Sequence, residues 1–169
     1  VSGSKRHMSG TARIEATVTA NWLKSGICII NVDMDMTGGS VTGGTYIEVY
    51  DTGTFTVSGN SMIGEDTRYT KTKVYLRSGA QITIGPEELA DDVSIAVESI
   101  NGATADTPTD ITNASGADYS QHFTSVWEWY GIRNSGTGEN QVVQLVELSG
   151  CTVSFDANGG TGTMPTEDF

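Results

Sequence analysis

Cysteine, proline, histidine and basic residues are scarce in this chain of 169 residues. It has 2 Cys, 3 Pro and 2 His, and only 9 Lys and Arg stand against 21 Asp and Glu, for a formal net charge of −12. A chain this acidic offers no basic footprint for a phosphate backbone, which argues against nucleic-acid binding. Two widely spaced cysteines cannot build a disulfide framework or a zinc site by themselves. No apolar run approaches the ~18 residues of a membrane-spanning helix.

Glycine, threonine and serine are abundant instead, with 21 Gly, 23 Thr and 16 Ser. All three are poor helix formers, and the β-branched Thr suits extended backbone. The composition therefore predicts an all-β protein. The chain begins at Val1 without an initiator Met and ends at Phe169 just after a Met-Pro-Thr phrase, so we expect it to be a piece of a longer protein.

A repeat runs through the first half of the chain. Residues 35–43 align with residues 56–64 at an offset of 21, and a third copy follows at a further offset of 27. Apolar and polar side chains alternate within each copy, which is the period of a half-buried strand. The apolar residues stack as three predicted inward columns: Met34, Phe55 and Ile82; Met36, Val57 and Ile84; Cys28, Val49 and Leu76. The polar residues stack as two predicted outward columns: Asp33, Thr54 and Gln81; Asp35, Thr56 and Thr83.

A unit of 20-odd residues that cannot close its own core is typical of a solenoid, because each turn buries its apolar edge on the next. The repeat therefore predicts solenoid turns over residues 1–85, including an earlier turn in which Ile14, Ala16 and Val18 point inward. The alternative is a β-sandwich, which antiparallel strand pairs would establish.

Residues 86–148 do not follow the repeat, and we expect them to form a C-terminal cap. Residues 86–92 are expected to form one helical turn, 93–100 a strand, and 101–118 a linker or long surface loop with Ile111 as its apolar anchor. Residues 123–130 and 141–148 are expected to pair as a hairpin on the open end of the solenoid. A bare final turn would expose apolar surface and unpaired strand edges.

Two phrases of the first half resemble a known kind of repeat. Residues 44–49, Gly-Thr-Tyr-Ile-Glu-Val, and residues 53–60, Gly-Thr-Phe-Thr-Val-Ser-Gly-Asn, are similar to the degenerate repeats of bacterial surface proteins with a pectate-lyase-like β-helix. The resemblance covers about residues 1–85. It implies a right-handed parallel β-helix on a secreted or cell-surface protein.

The C-terminal residues 149–169 carry a second resemblance. Residues 151–160, Cys-Thr-Val-Ser-Phe-Asp-Ala-Asn-Gly-Gly, followed by Pro165, resemble the opening of the Listeria–Bacteroides repeat, a small β-grasp-like module of bacterial surface proteins. Cys151 departs from that pattern. The resemblance implies an extracellular spacer or adhesin-type protein and no activity. Because only the first strand and turn are present, we expect this strand to lack a partner.

The candidate ligand-binding residues are Trp127, Trp129 and Tyr130. If they lie in a strand, the two tryptophans share one face, and aromatic platforms bind sugar rings by stacking. The alternative is that both indoles fill the core of the cap, since each ring buries a large apolar area.

Other candidate chemistry is weaker. Asp33 and Asp35 share a face and could contribute to a Ca²⁺ site, but their stacked neighbours supply no further carboxylates, which favours a solvated acidic face. His7 and His122 lie in no recognisable catalytic context, so no catalytic, metal-binding or cofactor-binding residue is assigned.

The sequence thus predicts a non-enzymatic segment of a bacterial surface or secreted protein, adhesin-like or a structural stalk. Its partner would be a polysaccharide, a host glycan or a host protein. The alternative is a polysaccharide-binding module or part of a carbohydrate-active β-helix enzyme.

Overall fold

The computed structural model describes residues 4–8, 13–15, 25–42, 46–64, 72–104, 106–148, 152–153 and 167–168. These residues form β-strands and two short 3₁₀ helices, Ser120–His122 and Gly138–Asn140, and contain no α-helix. In chain order the strands are β1 (Ser4–Met8), β2 (Arg13–Glu15), β3 (Ser25–Ile29), β4 (Val32–Thr42), β5 (Tyr46–Val49), β6 (Thr54–Ile63), β7 (Lys73–Leu76), β8 (Ile82–Ile84), β9 (Ile95–Ser99), β10 (Thr109–Asp110), β11 (Phe123–Ser125), β12 (Tyr130–Ser135), β13 (Val142–Glu147), β14 (Thr152–Val153) and β15 (Glu167–Asp168). The protein is all-β, as its composition predicts.

Ten of these strands form one curled parallel sheet. Its order is β1-β4-β6-β9-β7-β5-β3, with β2 on β4, β8 on β6 and β11 on β9. One ladder therefore runs through β1, β4, β6 and β8, and a second through β3, β5, β7, β9 and β11. The two meet where Ile63 of β6 pairs with Ile95 of β9. Across the described residues, every pair in this sheet is parallel, so the antiparallel pairs that would establish a β-sandwich are not found in it.

The predicted register of the first ladder is confirmed as far as Met36, but the predicted offset of 21 is wrong over residues 38–41, which pair at an offset of 22. Met34 lies opposite Phe55, and Phe55 opposite Ile82. Met36, Val57 and Ile84 form the next column by the same pairings. Phe55 and Val57 are fully buried, whereas the outward residues between them are exposed or half-buried. After Met36 the register shifts by one residue at a bulge. Gly38 and Gly39 there have positive φ, a conformation that glycine adopts without a steric penalty.

The inward position predicted for Cys28 is wrong. A register shift between Ser25 and Ile27 places Cys28 opposite Glu48, and Ile29 opposite Val49. Ile29 is buried and Cys28 is exposed. One extra residue moves every following side chain to the other face of a strand. The core column is therefore Ile29, Val49 and Leu76.

This register predicts that the Cys28 thiol reacts readily in the folded protein. In a Cys151→Ser background, iodoacetamide should alkylate Cys28 at close to the rate measured in urea, because the side chain needs no opening of the fold. Peptide mass spectrometry gives both rates. The matched control is Ile29→Cys with Cys28→Ser, whose thiol should be protected. Protection of Cys28 together with reaction of the cysteine at position 29 would show that residue 28 faces the core and residue 29 faces solvent, which would contradict this register.

Residues beyond β8 pack on the same core. β10, β13 and β12 form a three-stranded antiparallel sheet. Ile111 N–H donates to the Val143 carbonyl, and Ile82 N–H donates to the Ile111 carbonyl, each at 2.9 Å. Ile111, Val143 and Leu145 belong to the hydrophobic cluster that contains Phe55. The segment 101–118 is therefore anchored to both sheets through Ile111.

Three details of the C-terminal half differ from expectation. The stretch 86–92 forms bends and turns instead of a helical turn, and its backbone bonds to Gly59, with Ala90 N–H donating to the Gly59 carbonyl at 3.2 Å. The predicted hairpin runs from 130–135 to 142–147, whereas residues 123–125 pair with β9. β14 is paired with β15, although the sequence predicts no partner for it.

Ala16, Val18 and residues 154–165 lie outside the described residues.

Candidate functional site

The two predicted tryptophans lie in a turn, not in a strand. β11 ends at Ser125, Val126 is buried, and β12 begins at Tyr130. The Ser125 hydroxyl accepts the Trp127 N–H at 3.1 Å and donates to the Trp127 carbonyl at 2.9 Å. Leu148 N–H donates to the Trp129 carbonyl at 2.9 Å. These hydrogen bonds fix the backbone of the turn at both Trp127 and Trp129.

The two indoles stack on each other in solvent. Their ring centroids lie 4.9 Å apart with an interplanar angle of 15°, a separation typical of paired aromatic rings. Trp127 is 40% exposed and Trp129 is 53% exposed. The alternative in which these rings fill the core is therefore wrong. Sequence reasoning places the pair together, but for a reason, strand alternation, that does not apply.

Tyr130, the third predicted residue, packs against the tryptophan pair. Its ring meets Trp129 edge-on, with centroids 6.3 Å apart at 61°. Tyr130 is half-buried and packs against the hydrophobic core. The three rings therefore form an aromatic platform in which Tyr130 contacts the core and the two indoles are exposed to solvent.

Lys73 extends this platform onto the outer face of the second ladder. Its Nζ lies 4.5 Å from the Tyr46 ring centroid, 5.8 Å from that of Tyr75 and 5.9 Å from that of Trp127. These distances are those of cation–π contacts. Lys73 also forms an ion pair with Glu98. It is buried because the three rings and this carboxylate surround it.

Arg77 makes similar contacts four residues after Lys73, directly after the end of β7. Its Nε–H donates to Glu48 Oε1 at 2.6 Å, and its Cζ lies 4.9 Å from the Tyr75 centroid and 5.5 Å from that of Tyr50. The hydrogen bond to Glu48 raises the pKa of Arg77 above its ordinary value. An arginine guanidinium is cationic throughout the accessible pH range in any case.

We call this surface the aromatic strip. Its members are the rings of Tyr46, Tyr50, Tyr75, Trp127 and Trp129 and the cations Lys73 and Arg77. Of these residues, the sequence predicts only the two tryptophans as part of a site. The offset of 27 residues could have identified others, because it places Tyr46 over Lys73 and Glu48 over Tyr75, as the structure does.

The outward side of the first ladder is chemically different. Its described columns run from Lys5 through Asp33 to Thr54, and from His7 through Asp35 and Thr56 to Thr83. Among the described residues, no three His, Cys, Asp or Glu side chains are placed to share a metal ion. His122 is buried, with its Nδ1 3.3 Å from the Val93 carbonyl oxygen.

Comparison with known proteins gives no match. No family model, no curated protein and no solved structure matches the chain. Within the described residues, there is also no helix with the length and apolarity needed to span a bilayer.

Proposed function

We propose that the chain is a non-enzymatic segment of a bacterial surface or secreted protein that binds polysaccharide through the Trp127–Trp129 pair. The observation that carries the proposal is that two indoles stack at 4.9 Å while remaining 40% and 53% exposed. Each indole covers one face of the other, so a partner would contact an outer face of the pair, on a turn whose hydrogen-bonded backbone keeps the ordering cost low. A sugar ring has an apolar face of the kind that stacks on such a platform.

The fold that we propose beneath this platform is a right-handed parallel β-helix. It is supported by the parallel pairing of β3 with β5 and of β4 with β6, at offsets of about one 20-residue repeat. The columns of Met34, Phe55 and Ile82 support it further. In this proposal, residues 109–147 cover the last turn and residues 149–169 open a Listeria–Bacteroides repeat. A rigid stalk of this kind would carry the platform away from the cell.

Affinity electrophoresis tests the binding. Native gels containing hydroxyethylcellulose, galactomannan, xyloglucan or polygalacturonate should retard the protein in at least one case. Trp129→Ala should weaken that binding at least tenfold, which corresponds to about 1.4 kcal/mol. Its side chain is the more exposed of the pair, so the fold should be little affected.

The matched control is Ile30→Ala, which removes another exposed apolar side chain, 44% accessible, directly after the end of β3. It should leave the retardation unchanged. Migration that none of the four polymers alters, or retardation that survives both Trp129→Ala and Trp127→Ala, would overturn polysaccharide binding. The structural-stalk function would then stand alone.

A further inference from the structure

We propose that the binding site is longer than the indole pair, and that an uncharged polysaccharide chain lies along the whole aromatic strip from Trp129 to Tyr50. This inference rests on the proposed function and adds the class and length of the ligand. The strip joins the ends of two different segments, since the indoles follow β11 whereas Tyr50 follows β5.

Continuity of the rings is the first support. Trp127 stacks on Trp129, and Lys73 contacts Trp127, Tyr46 and Tyr75 at once. Arg77 then joins Tyr75 to Tyr50. Tyr46, Tyr50 and Tyr75 are each half-buried, so none of the three residues is enclosed in the core. A ligand longer than one sugar ring can therefore contact several aromatic groups in succession.

Charge is the second support, and it selects the class of polymer. Lys73 is paired with Glu98 and Arg77 with Glu48, so the two cations of the strip are locally neutralised. A polyanion would meet these carboxylates and a protein of net charge −12. A polycation would find the two carboxylates of the strip already paired with Lys73 and Arg77, so its own charges would lie there without a partner. An uncharged chain avoids both costs, because desolvating an unpaired charge is unfavourable.

Contrast with the other ladder is the third support. None of the ring contacts described above involves the outward positions of that ladder, which hold Lys5, His7, Asp33, Asp35, Thr54 and Thr56. The strip is thus a local concentration of rings, which are the side chains enriched at binding surfaces.

The test measures mobility-derived Kd values for hydroxyethylcellulose, galactomannan, xyloglucan, polygalacturonate and glycol chitosan. We expect an uncharged polymer to bind tightest. Tyr75→Ala and Tyr50→Ala should each weaken that binding about threefold or more, with Thr56→Ala as the control on the other ladder. A disaccharide from the same polymer should compete equally well against the wild type and Tyr50→Ala, because it covers only the indole pair. Thermal melts would show whether Tyr75→Ala is folded. Tyr50→Ala, at the end of the strip, tests the extended site independently of that variant.

Each contrary result has a distinct meaning. Binding that is lost in Trp129→Ala but unchanged in both tyrosine variants would overturn the extended site and leave the proposed function intact. Tightest binding to polygalacturonate or glycol chitosan would overturn the uncharged class. A dimer in size-exclusion chromatography that Tyr75→Ala abolishes would assign the strip to a second copy of the chain. Unaltered migration in all five gels would overturn the proposed function itself.

Discussion

Phe55→Ala should lower the free energy of unfolding by about 3–5 kcal/mol, the range for removing a large buried aromatic side chain. Phe55 is 0% exposed and lies in β6 between Met34 of β4 and Ile82 of β8. Deleting the ring leaves a cavity that these paired strands cannot close without breaking their register. Urea unfolding followed by far-ultraviolet circular dichroism measures the change, as a lower midpoint at an unchanged slope.

Thr56→Ala is the control, because it changes the next residue of the same strand on the opposite, half-buried face. Its effect should stay within about 0.5 kcal/mol. Equal losses in the two variants would contradict the inward and outward assignment of β6.

Gly136→Ala should destabilise the protein by about 2–4 kcal/mol, because strained backbone and steric overlap act together. Gly136 follows β12 and has a φ of 89°. A Cβ added there would lie 2.2 Å from the carbonyl oxygen of Asn140. Relief would require the connection between β12 and β13 to move. The same urea titration measures the loss.

Gly138→Ala separates the two causes. Gly138 lies in the same connection with a φ of 59°, but a Cβ there would meet no atom within 4 Å. Only the left-handed backbone conformation is then penalised, at about 1 kcal/mol, and the stiffer unfolded chain offsets part of this. If Gly136→Ala cost no more than Gly138→Ala, the close approach to Asn140 would be refuted.

Local alternation made the first ladder predictable. The two-residue period of a strand identifies which face of β4 and β6 is apolar, and the offset of 21 residues then places Met34 opposite Phe55. The first signal lies within a single strand, and the second compares that strand with its counterpart 21 residues later. They fail at Cys28, because one extra residue near Gly26 shifts the register.

The candidate site was only partly predictable for a related reason. Trp127 and Trp129 are close in sequence, so their proximity follows from any compact turn. Whether their rings are buried depends on where residues 126–130 leave β11 and how the later strands pack. Lys73 is 54 positions before Trp127, and a contact at that separation comes only from stacking of β7, β9 and β11 in one sheet.

The sequence by itself therefore determined the all-β class, the stacked core columns of residues 34–36, 55–57 and 82–84, and the presence of two neighbouring tryptophans. Composition and local period carry that information, because side-chain orientation in a strand repeats every two residues. Only the tertiary structure decided which outward face gathers the rings of Tyr46, Tyr75 and Trp127 around Lys73. That outcome depends on bulges, loop lengths and long-range strand pairing, which local periodicity does not encode.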